Sequence, residues 1–351
     1  MSNMPTLENP PIYKAMALQT ECKAVNRCAS RTESRLIMHG SIARIRGQIF
    51  SAKAFHGTDL KLVCLPEYFL TGFPAGESAR DWKAKAAIDI DGPEYKALGK
   101  IAKDAGIYLA GNAYENDPHF PDLYFQSSFI IAPSGDVVLR YRRLISMYAP
   151  SPYDVWDEYL KHYTFDDLFP VVETPLGRLA ALASEEIRYP EISRIVASRG
   201  AEVILHPTSE AASTVMTYKN VAKLARAQEN QCYVISANSA GITGTSLAPY
   251  STDARSQIVD DRGIILCEIP GGESITACAD IDIAALRYRR TRNGMDNMLA
   301  RQPMELYAKA FAKLDMHPSG TLGDGTNPPA KDFYKTRQDA VIEKLRNARI
   351  V

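Results

Sequence analysis

Residues 177–191 read GRLAALASEEIRYPE and predict a strand, a turn and the beginning of a helix. The apolar run ends at Ala183, and the residues that follow it are polar except for Ile187. Pro190 suits the start of a helix, where the N–H that it lacks would have no partner. Nucleophilic side chains are often displayed at a strand-to-helix turn, which makes Ser184 a candidate. No GxSxG motif surrounds this serine, and the alternative interpretation is that it only begins the turn.

The same alternation of strand and helix continues on both sides of this segment. Apolar runs that predict strands are LKLVCLPE (60–67), IYLAGNAYE (107–115), AEVILHP (201–207) and QCYVISANSA (231–240). Helical spacing of apolar residues appears at 32–55, 94–105 and 217–230. One hairpin is predicted at 125–143, with its turn at 133–136, and a second hairpin at 256–269. Strands that alternate with helices predict a layered α/β protein, and the hairpins predict sheets that are not purely parallel.

Composition excludes several classes of protein. The chain has 351 residues, 46% hydrophobic and 23% charged, which is typical of a globular protein with a sizeable core. Its 41 basic and 41 acidic residues balance, so nothing predicts binding to nucleic acid or to an anionic membrane. No apolar stretch is long enough to span a bilayer. The six cysteines have no zinc spacing, which predicts reduced thiols in a cytoplasmic protein and no metal. No motif predicts an organic cofactor.

Three side chains at predicted strand ends are candidates for chemistry. Glu67 follows an apolar strand, where a partly buried carboxylate could act as a general acid or base. Arg143 ends the strand VVLRYRR and could bind an anion, although it stays protonated and cannot carry a proton. His206 also ends a strand, a position where a structural role is the commoner one. Without further information, an ion pair at a strand end is the favoured interpretation of both Glu67 and Arg143.

Several of these segments, in order, resemble the nitrilase (carbon–nitrogen hydrolase) superfamily. The segment LVCLPEYFLTG (62–72) is similar to the one around the catalytic Glu of that family. GDVVLRYRRL (135–144) is similar to the segment that contains its catalytic Lys, and GRLAALASEEIRYPE to the segment that contains its nucleophilic Cys. Later segments, GAEVILHPTS, ARAQENQCYVISAN and SQIVDDRGIILCE, keep the family order and spacing. The resemblance covers about residues 12–300.

The resemblance implies an α/β fold of one domain, a four-layer α-β-β-α sandwich. Residues 1–11 are then a flexible N-terminal arm, 12–300 the catalytic domain, and 301–351 a C-terminal extension at a dimer interface. It also implies a homodimer or a higher even-numbered homo-oligomer that acts on a small-molecule substrate.

Family chemistry implies roles for three residues. In the family a Glu deprotonates the Cys, the thiolate attacks an amide or nitrile carbon, and a Lys stabilises the oxyanion. Glu67 takes the place of the Glu, Arg143 that of the Lys, and Ser184 that of the Cys. A hydroxyl is far less acidic than a thiol, and each pKa unit corresponds to about 1.4 kcal/mol. Arg keeps the charge of Lys but changes the geometry of the head group.

Three explanations of this altered site remain open. Ser184 could be an engineered replacement of Cys in a hydrolase of amide, carbamoyl or nitrile groups. Both changes could be natural, with Glu67 as acid or base and Arg143 as an anion clamp in a non-covalent lyase or hydratase. The chain could also be a pseudoenzyme that only binds a ligand. Further candidates, for substrate binding, are Tyr68, Glu158, Arg188 and His206.

The long loop at 145–170 follows Arg143 directly and is rich in aromatic residues. They are Tyr148, Tyr153, Trp156, Tyr159, Tyr163 and Phe165. Its position predicts that the loop covers the pocket and favours a flat substrate, with Asp154 or Glu158 as a second acid. The alternative interpretation is that the aromatic side chains pack a dimer contact.

Overall fold

The computed structural model of the chain describes residues 9–211, 213, 215–250, 252 and 254–351. The strands are β1 (Tyr13–Ala17), β2 (Thr20–Lys23), β3 (Leu60–Cys64), β4 (Tyr108–Asp117), β5 (Phe120–Ile131), β6 (Val137–Arg142), β7 (Val172–Thr174), β8 (Gly177–Ala181), β9 (Val203–Pro207), β10 (Tyr233–Ala237), β11 (Ser239–Thr243), β12 (Ser256–Val259), β13 (Ile265–Ile269) and β14 (Cys278–Ile281). The helices are α1 (Arg31–His56), α2 (Ala79–Ala86), α3 (Pro93–Ala105), α4 (Trp156–His162), α5 (Pro190–Ser198), α6 (Tyr218–Asn230), α7 (Ile283–Thr291), α8 (Met298–Arg301), α9 (Met304–Phe311) and α10 (Phe333–Asn347).

Most of the strands belong to two mixed sheets. Within the described residues, each sheet has six strands, in the orders β14-β1-β3-β4-β5-β6 and β13-β12-β10-β9-β8-β7. The central strands β1, β3 and β4 of the first sheet, and β8, β9 and β10 of the second, run parallel. The outer strands are antiparallel, as the predicted hairpins require. Parallel strands bring their carboxyl ends to the same edge of a sheet, which is where ligands bind in open α/β sheets.

The two sheets bury their apolar faces against each other. One continuous cluster contains Ala17, Cys64, Ile130 and Tyr141 of the first sheet and Ala181, Leu205, Ile235 and Ile258 of the second. A second cluster joins α1 and α3 to the outer face of the first sheet. Helices α5 and α6 cover the second sheet, and their buried residues include Ile192, Val196, Ala222 and Ala227. These layers confirm the predicted α-β-β-α sandwich.

Helix α1 shows how the spacing of apolar residues selects the buried face. Its buried apolar positions recur every three or four residues, at Met38, Ile42, Ile45, Ile49 and Ala52. That spacing places all of them on one side of a helix. Ser30 caps the first turn by accepting a hydrogen bond from Glu33 N. The prediction of a helix at 32–55 is confirmed, although Leu36 faces solvent.

One prediction of irregular structure is corrected. The segment 145–170, predicted as a loop, contains α4 and the short 3₁₀ helices Pro152–Val155 and Phe165–Leu168. Ser151 and Thr164 begin these turns, and each donates its backbone N–H to an Asp three residues later. Such capping boxes stabilise short helices that apolar periodicity does not reveal.

Helices α8 and α9 of the C-terminal tail are separated at Pro303. Proline lacks the N–H that a helix interior needs and restricts the residue before it, so the two helices are not continuous. Helices α2 and α7 were not predicted. No helix in the described residues has both the length and the apolar character needed to cross a bilayer.

Part of the C-terminal tail packs on its own chain. Gly320 N and Leu322 N donate to the carbonyls of Tyr153 and Asp154, at 2.8 Å in both cases. The buried Asp154 carboxylate also pairs with Arg337 of α10. The tail therefore holds the segment that leads from Arg143 to α4. The boundaries predicted at residues 12 and 300 stay predictions, and residues 1–8 of the predicted arm lie outside the described residues.

We expect Arg337→Met to lower the free energy of unfolding by about 1–3 kcal/mol, because it leaves the buried Asp154 carboxylate without its cation. Arg346→Met is the matched control on the same helix, since Arg346 pairs with Glu343 on the surface. It should change stability by less than about 0.5 kcal/mol. Denaturant unfolding measures both variants, and equal effects would show that the tail contact contributes nothing.

Candidate functional site

Ser184 lies at the end of the strand-to-helix connection after β8. It begins the 3₁₀ helix Ser184–Arg188, and its side chain is almost entirely buried. Its φ is +46°, in the left-handed region that residues other than glycine rarely occupy. Backbone strain of this kind persists only where the surroundings impose it, and it is concentrated at functional sites.

His206, at the end of β9, holds the backbone of Ser184. His206 Nε2 lies 2.7 Å from the carbonyl oxygen of Ser184, and Nδ1 lies 2.9 Å from Ser236 Oγ. A carbonyl can only accept a hydrogen bond, so Nε2 carries the proton and Nδ1 accepts from the hydroxyl. Burial lowers the pKa of His206 well below its usual value, which agrees with a neutral ring. His206 therefore positions Ser184 and does not line the cavity described below.

Glu186 ties the turn to the segment that carries Arg143. Its Oε1 accepts hydrogen bonds from Leu144 N at 2.7 Å and Ile145 N at 3.0 Å, and its Oε2 accepts from Ala183 N at 3.3 Å. The carboxyl is fully buried, and this desolvation raises its pKa to about 7 although Arg143 opposes the shift. Glu186 therefore joins the ends of β6 and β8, one from each sheet.

Glu67 and Arg143 form a buried ion pair. Arg143 Nη1 lies 3.1 Å from Glu67 Oε1 and 2.8 Å from Gln126 Oε1. Gln126 Nε2 in turn donates to Glu67 Oε1 at 2.9 Å, so the amide of Gln126 bridges the pair. The nearby Glu67 and Glu186 carboxylates favour the charged guanidinium and raise the pKa of Arg143 above its already high value, although burial opposes them.

A second carboxylate also binds Arg143. Arg143 Nη2 donates to Glu185 Oε1 at 2.5 Å, and Nε donates to the carbonyl of Ile145 at 2.6 Å. One guanidinium therefore faces two carboxylates, Glu67 and Glu185. The positive charge of Arg143 is largely neutralised by these partners before any substrate binds.

Lys219 is a site residue that the sequence analysis missed. It is the second residue of α6, and its Nζ lies 2.9 Å from Ser184 Oγ. The same Nζ donates to Thr208 Oγ1 at 3.2 Å and to the carbonyl of Ser209 at 3.1 Å. One signal was available in the segment TYKN. A cation in the first turn of a helix opposes the helix dipole, and such departures from local preference often mark functional positions.

A cavity of about 180 Å³ is lined in part by Ser184 and Lys219. Most of its lining side chains are charged or phenolic. They are Tyr68, Arg143, Tyr148, Ser184, Glu185, Arg188, Ser209, Glu210, Tyr218 and Lys219. At the rim, the guanidinium of Arg188 lies over the ring of Tyr218, 5.4 Å from its centroid.

The structure brings most, but not all, of the predicted site residues together. Arg143, Ser184, Tyr68 and Arg188 line the cavity, and Glu67 reaches it through Arg143. Glu158 lies elsewhere on α4, where it pairs with Lys161 and His162.

The pocket-covering role of the aromatic loop is largely wrong, since Tyr148 is its one aromatic side chain among the cavity-lining residues described. Tyr159 and Tyr163 instead stack on each other at 4.7 Å. Asp154 binds the tail, and Glu185 and Glu210 are the acids at the cavity. Among the described residues no group of three His, Cys, Asp or Glu side chains could hold a metal ion.

The raised pKa of Glu186 should make stability depend on pH. Between its ordinary 4.5 and about 7, the folded protein keeps a proton that the unfolded chain has released. The free energy of unfolding should therefore fall as pH rises through this window, by at most about 3 kcal/mol for this group. Glu186→Gln cannot titrate and should lose this part of the pH dependence. Denaturant unfolding at several pH values between 4.5 and about 7 measures this dependence. If the free energy of unfolding changed equally with pH in the unmodified protein and in Glu186→Gln, the proton would belong to another group.

The chain was also compared with known proteins. The family model described as carbon–nitrogen hydrolase matches residues 36–291. The nitrilase and fragile histidine triad fusion protein NitFhit of Caenorhabditis elegans is 26% identical over 293 residues, which are 82% of this chain and 63% of that longer protein. The omega-amidase NIT2 of Homo sapiens is 25% identical over 226 residues, 64% of this chain and 78% of the relative.

Solved structures show the same fold. Saccharomyces cerevisiae Nit3, described as a member of branch 10 of the nitrilase superfamily, matches with a TM-score of 0.62 and 20% identity over 80% of this chain and 93% of that one. An amidase from Nesterenkonia sp. matches with a TM-score of 0.58 and 19% identity over 88% of this chain and all of that one.

Proposed function

Because this chain belongs to the carbon–nitrogen hydrolase family, we propose that it hydrolyses a non-peptide carbon–nitrogen bond with Ser184 as the attacking group. The bond lies in an amide or in a related carbamoyl or nitrile group. The observation that carries the proposal is the placement of Ser184, which lies on a strained turn and lines a cavity whose other lining residues are largely charged or phenolic. A hydrolase of this kind needs a nucleophile, a cation and a carboxylate within one cavity, and these three kinds of group are present.

The cavity favours a small, polar amide. Its volume of about 180 Å³ is below the roughly 300–1,000 Å³ that is typical of pockets for drug-sized ligands. The charged walls favour a polar substrate, and the rings of Tyr68, Tyr148 and Tyr218 offer flat surfaces to a planar amide group. Similarity to proteins described as omega-amidases supports an amide over a nitrile.

In the proposed reaction the Ser184 oxygen attacks the carbonyl carbon and forms an acyl-serine, which water then hydrolyses. The Arg143 guanidinium lies at the cavity wall, where it stabilises the negative charge that develops on the carbonyl oxygen. Glu67 and Gln126 fix the orientation of that guanidinium through their hydrogen bonds. This arrangement gives Glu67 a positioning role in the reaction.

Three variants test the proposal on a panel of small amides, carbamoyl compounds and nitriles. Ser184→Ala should abolish turnover, a loss of at least about a hundredfold, because the attacking oxygen is gone. Ser184→Cys should form an acyl adduct detectable by intact mass spectrometry, because a thiol is far more acidic than a hydroxyl. Ser134→Ala, in the exposed turn before β6, is the control and should behave as the unmodified protein.

Turnover that survives Ser184→Ala would contradict covalent catalysis and favour a non-covalent lyase or hydratase. No turnover and no adduct in any of these proteins would favour a ligand-binding protein without activity.

We also propose that the active form is a homodimer or a higher even-numbered homo-oligomer in the cytoplasm, with residues 301–351 at the interface. Helix α9 supports the interface, since none of its residues is buried although it carries exposed Leu306 and Phe311. Sedimentation should give the mass of an even number of chains. The double variant Leu306→Glu and Phe311→Glu should lower that mass. Leu36→Glu, at an exposed position of α1, is the control. A monomeric unmodified protein would contradict the proposal.

A further inference from the structure

The hydroxyl of Ser184 needs a partner that can accept its proton, because a hydroxyl loses a proton far less readily than a thiol. Arg143 stays protonated and cannot accept it. Glu67 already receives hydrogen bonds from Gln126 and Arg143 on one carboxylate oxygen. Within the described part of the chain, no hydrogen bond joins Glu67 to Ser184. The other carboxylate oxygen of Glu67, Oε2, is buried and has no hydrogen-bond partner among the described residues. Of the residues that match the family pattern, none is therefore in hydrogen-bond contact with Ser184 Oγ.

Lys219 meets the geometric requirement for that base. A general base must lie within about 2.6–3.2 Å of the atom that gives up the proton, and Lys219 Nζ lies 2.9 Å from Ser184 Oγ. The amine is also held in place, since Thr208 Oγ1 and the carbonyl of Ser209 accept its other hydrogen bonds. Thr208 links this contact to the first sheet, because its carbonyl accepts from Glu67 N at 3.2 Å.

We propose that Lys219 accepts and returns the proton of Ser184, so that the site works as a serine–lysine pair. This inference rests on the proposed function only in taking Ser184 as the nucleophile. Lys219 belongs to α6 of the second sheet's outer layer, whereas Arg143, which occupies the place of the family lysine, follows β6 of the first sheet. The amine therefore approaches Ser184 from a different element than the family pattern implies.

Burial weakens the basicity of the Lys219 amine, although the carboxylates of Glu67, Glu210 and Glu185 oppose this effect. Desolvation lowers the pKa of Lys219 below its usual value, and the positive end of the α6 dipole acts in the same direction. The charged groups that face it come from several elements. They are Glu67, Arg143, Glu185, Glu210 and, one helical turn further on, Lys223. Burial also lowers the pKa of Lys223, to about 7, so that two amines with weakened basicity lie side by side.

The proton and the electron pairs can be followed through the reaction. The Ser184 proton moves to the neutral Lys219 amine while Oγ forms a bond to the amide carbon and the carbonyl oxygen takes the electron pair. When this intermediate collapses, the carbon–nitrogen bond breaks, and Lys219 gives the proton to the departing nitrogen. Water then attacks the acyl-serine and gives a proton to Lys219, which returns it to Oγ as the ester bond breaks. The acid is released and both residues are restored.

Ser184 nucleophilicity can be measured without knowing the substrate. Diisopropyl fluorophosphate forms an oxygen–phosphorus bond with an activated serine and releases fluoride, and the adduct is followed by intact mass spectrometry and located by peptide mapping. The unmodified protein should be labelled at Ser184, at a rate that rises with pH as Lys219 loses its proton. Lys219→Met should slow labelling at least about a hundredfold and lose this rise.

Lys219→Arg separates proton transfer from charge. Arginine keeps a cation beside Ser184 but does not accept a proton, so labelling should be about as slow as in Lys219→Met. Lys100→Met, at an exposed position of α3, is the matched control and should be labelled at the normal rate. Near-normal labelling of Lys219→Arg would overturn the proposal, because charge alone would then be sufficient.

Chemical rescue distinguishes loss of the Lys219 amine from misfolding of the variant. Lys219→Ala leaves space beside Ser184, and added methylamine should restore labelling with a dependence on the concentration of its neutral form. In a Ser184→Cys background, Lys219→Met should reduce the labelling rate much less, because a thiol loses its proton more readily than a hydroxyl. Absence of rescue in a protein that melts normally, or an equal loss in the Ser184→Cys background, would overturn the proposal.

Failure of this inference is distinguishable from failure of the proposed function. Amide turnover that is equal in the unmodified protein and in Lys219→Met would leave the proposed function standing and refute the role of Lys219. Labelling of Ser184 that depends on Lys219, without turnover of any amide, would support the pair and contradict the proposed substrate class. No labelling of Ser184 at any pH would overturn the inference.

Discussion

Burial of two apolar sheet faces against each other is the interaction on which the rest of the structure depends. The cluster between the sheets includes residues of the strands that lead to the site, such as Cys64 of β3, Ala181 of β8 and Leu205 of β9. Each large apolar side chain that is fully buried contributes about 1.5–3 kcal/mol. Because the sheets cannot slide without exposing these side chains, the ends of the strands are fixed relative to each other.

Hydrogen bonds from backbone and side-chain groups join the two sheets near the site. Ser128 Oγ of β5 donates to the carbonyl of Leu182 at 3.0 Å, and Glu67 N donates to the carbonyl of Thr208 at 3.2 Å. Glu186 adds a bridge of its own between the segments after β6 and β8. Buried charges are costly unless they are paired and hydrogen-bonded, so such a dense network is retained where it serves geometry and chemistry. This network of hydrogen bonds explains how the left-handed turn at Ser184 is maintained.

The charges of the site follow a consistent pattern. Glu67 and Glu185 both bind Arg143, so one guanidinium is shared by two carboxylates. Lys219 adds the cation next to Ser184 itself. If Lys219 gives up its proton, the side chains of Glu67, Glu185, Arg143 and Lys219 together carry one net negative charge. When an oxyanion develops on the substrate amide, the proton that Lys219 receives from Ser184 restores a positive charge beside it and adds to the stabilisation by Arg143.

Much of this protein was determined by the sequence alone. The alternation of apolar runs with helical spacing predicted the α/β layers, and the segments around Glu67, Arg143 and Ser184 predicted the strand ends that meet at the cavity. These features are local, because each depends on neighbours within one strand or one helical turn. The contacts of Lys219 and Asp154 were decided only by the tertiary structure. Lys219 reaches Ser184 across 35 positions of chain, and Asp154 meets Arg337 across 183. No local pattern records such a distance, since it is the packing of one sheet and its helices on the other that brings these side chains together.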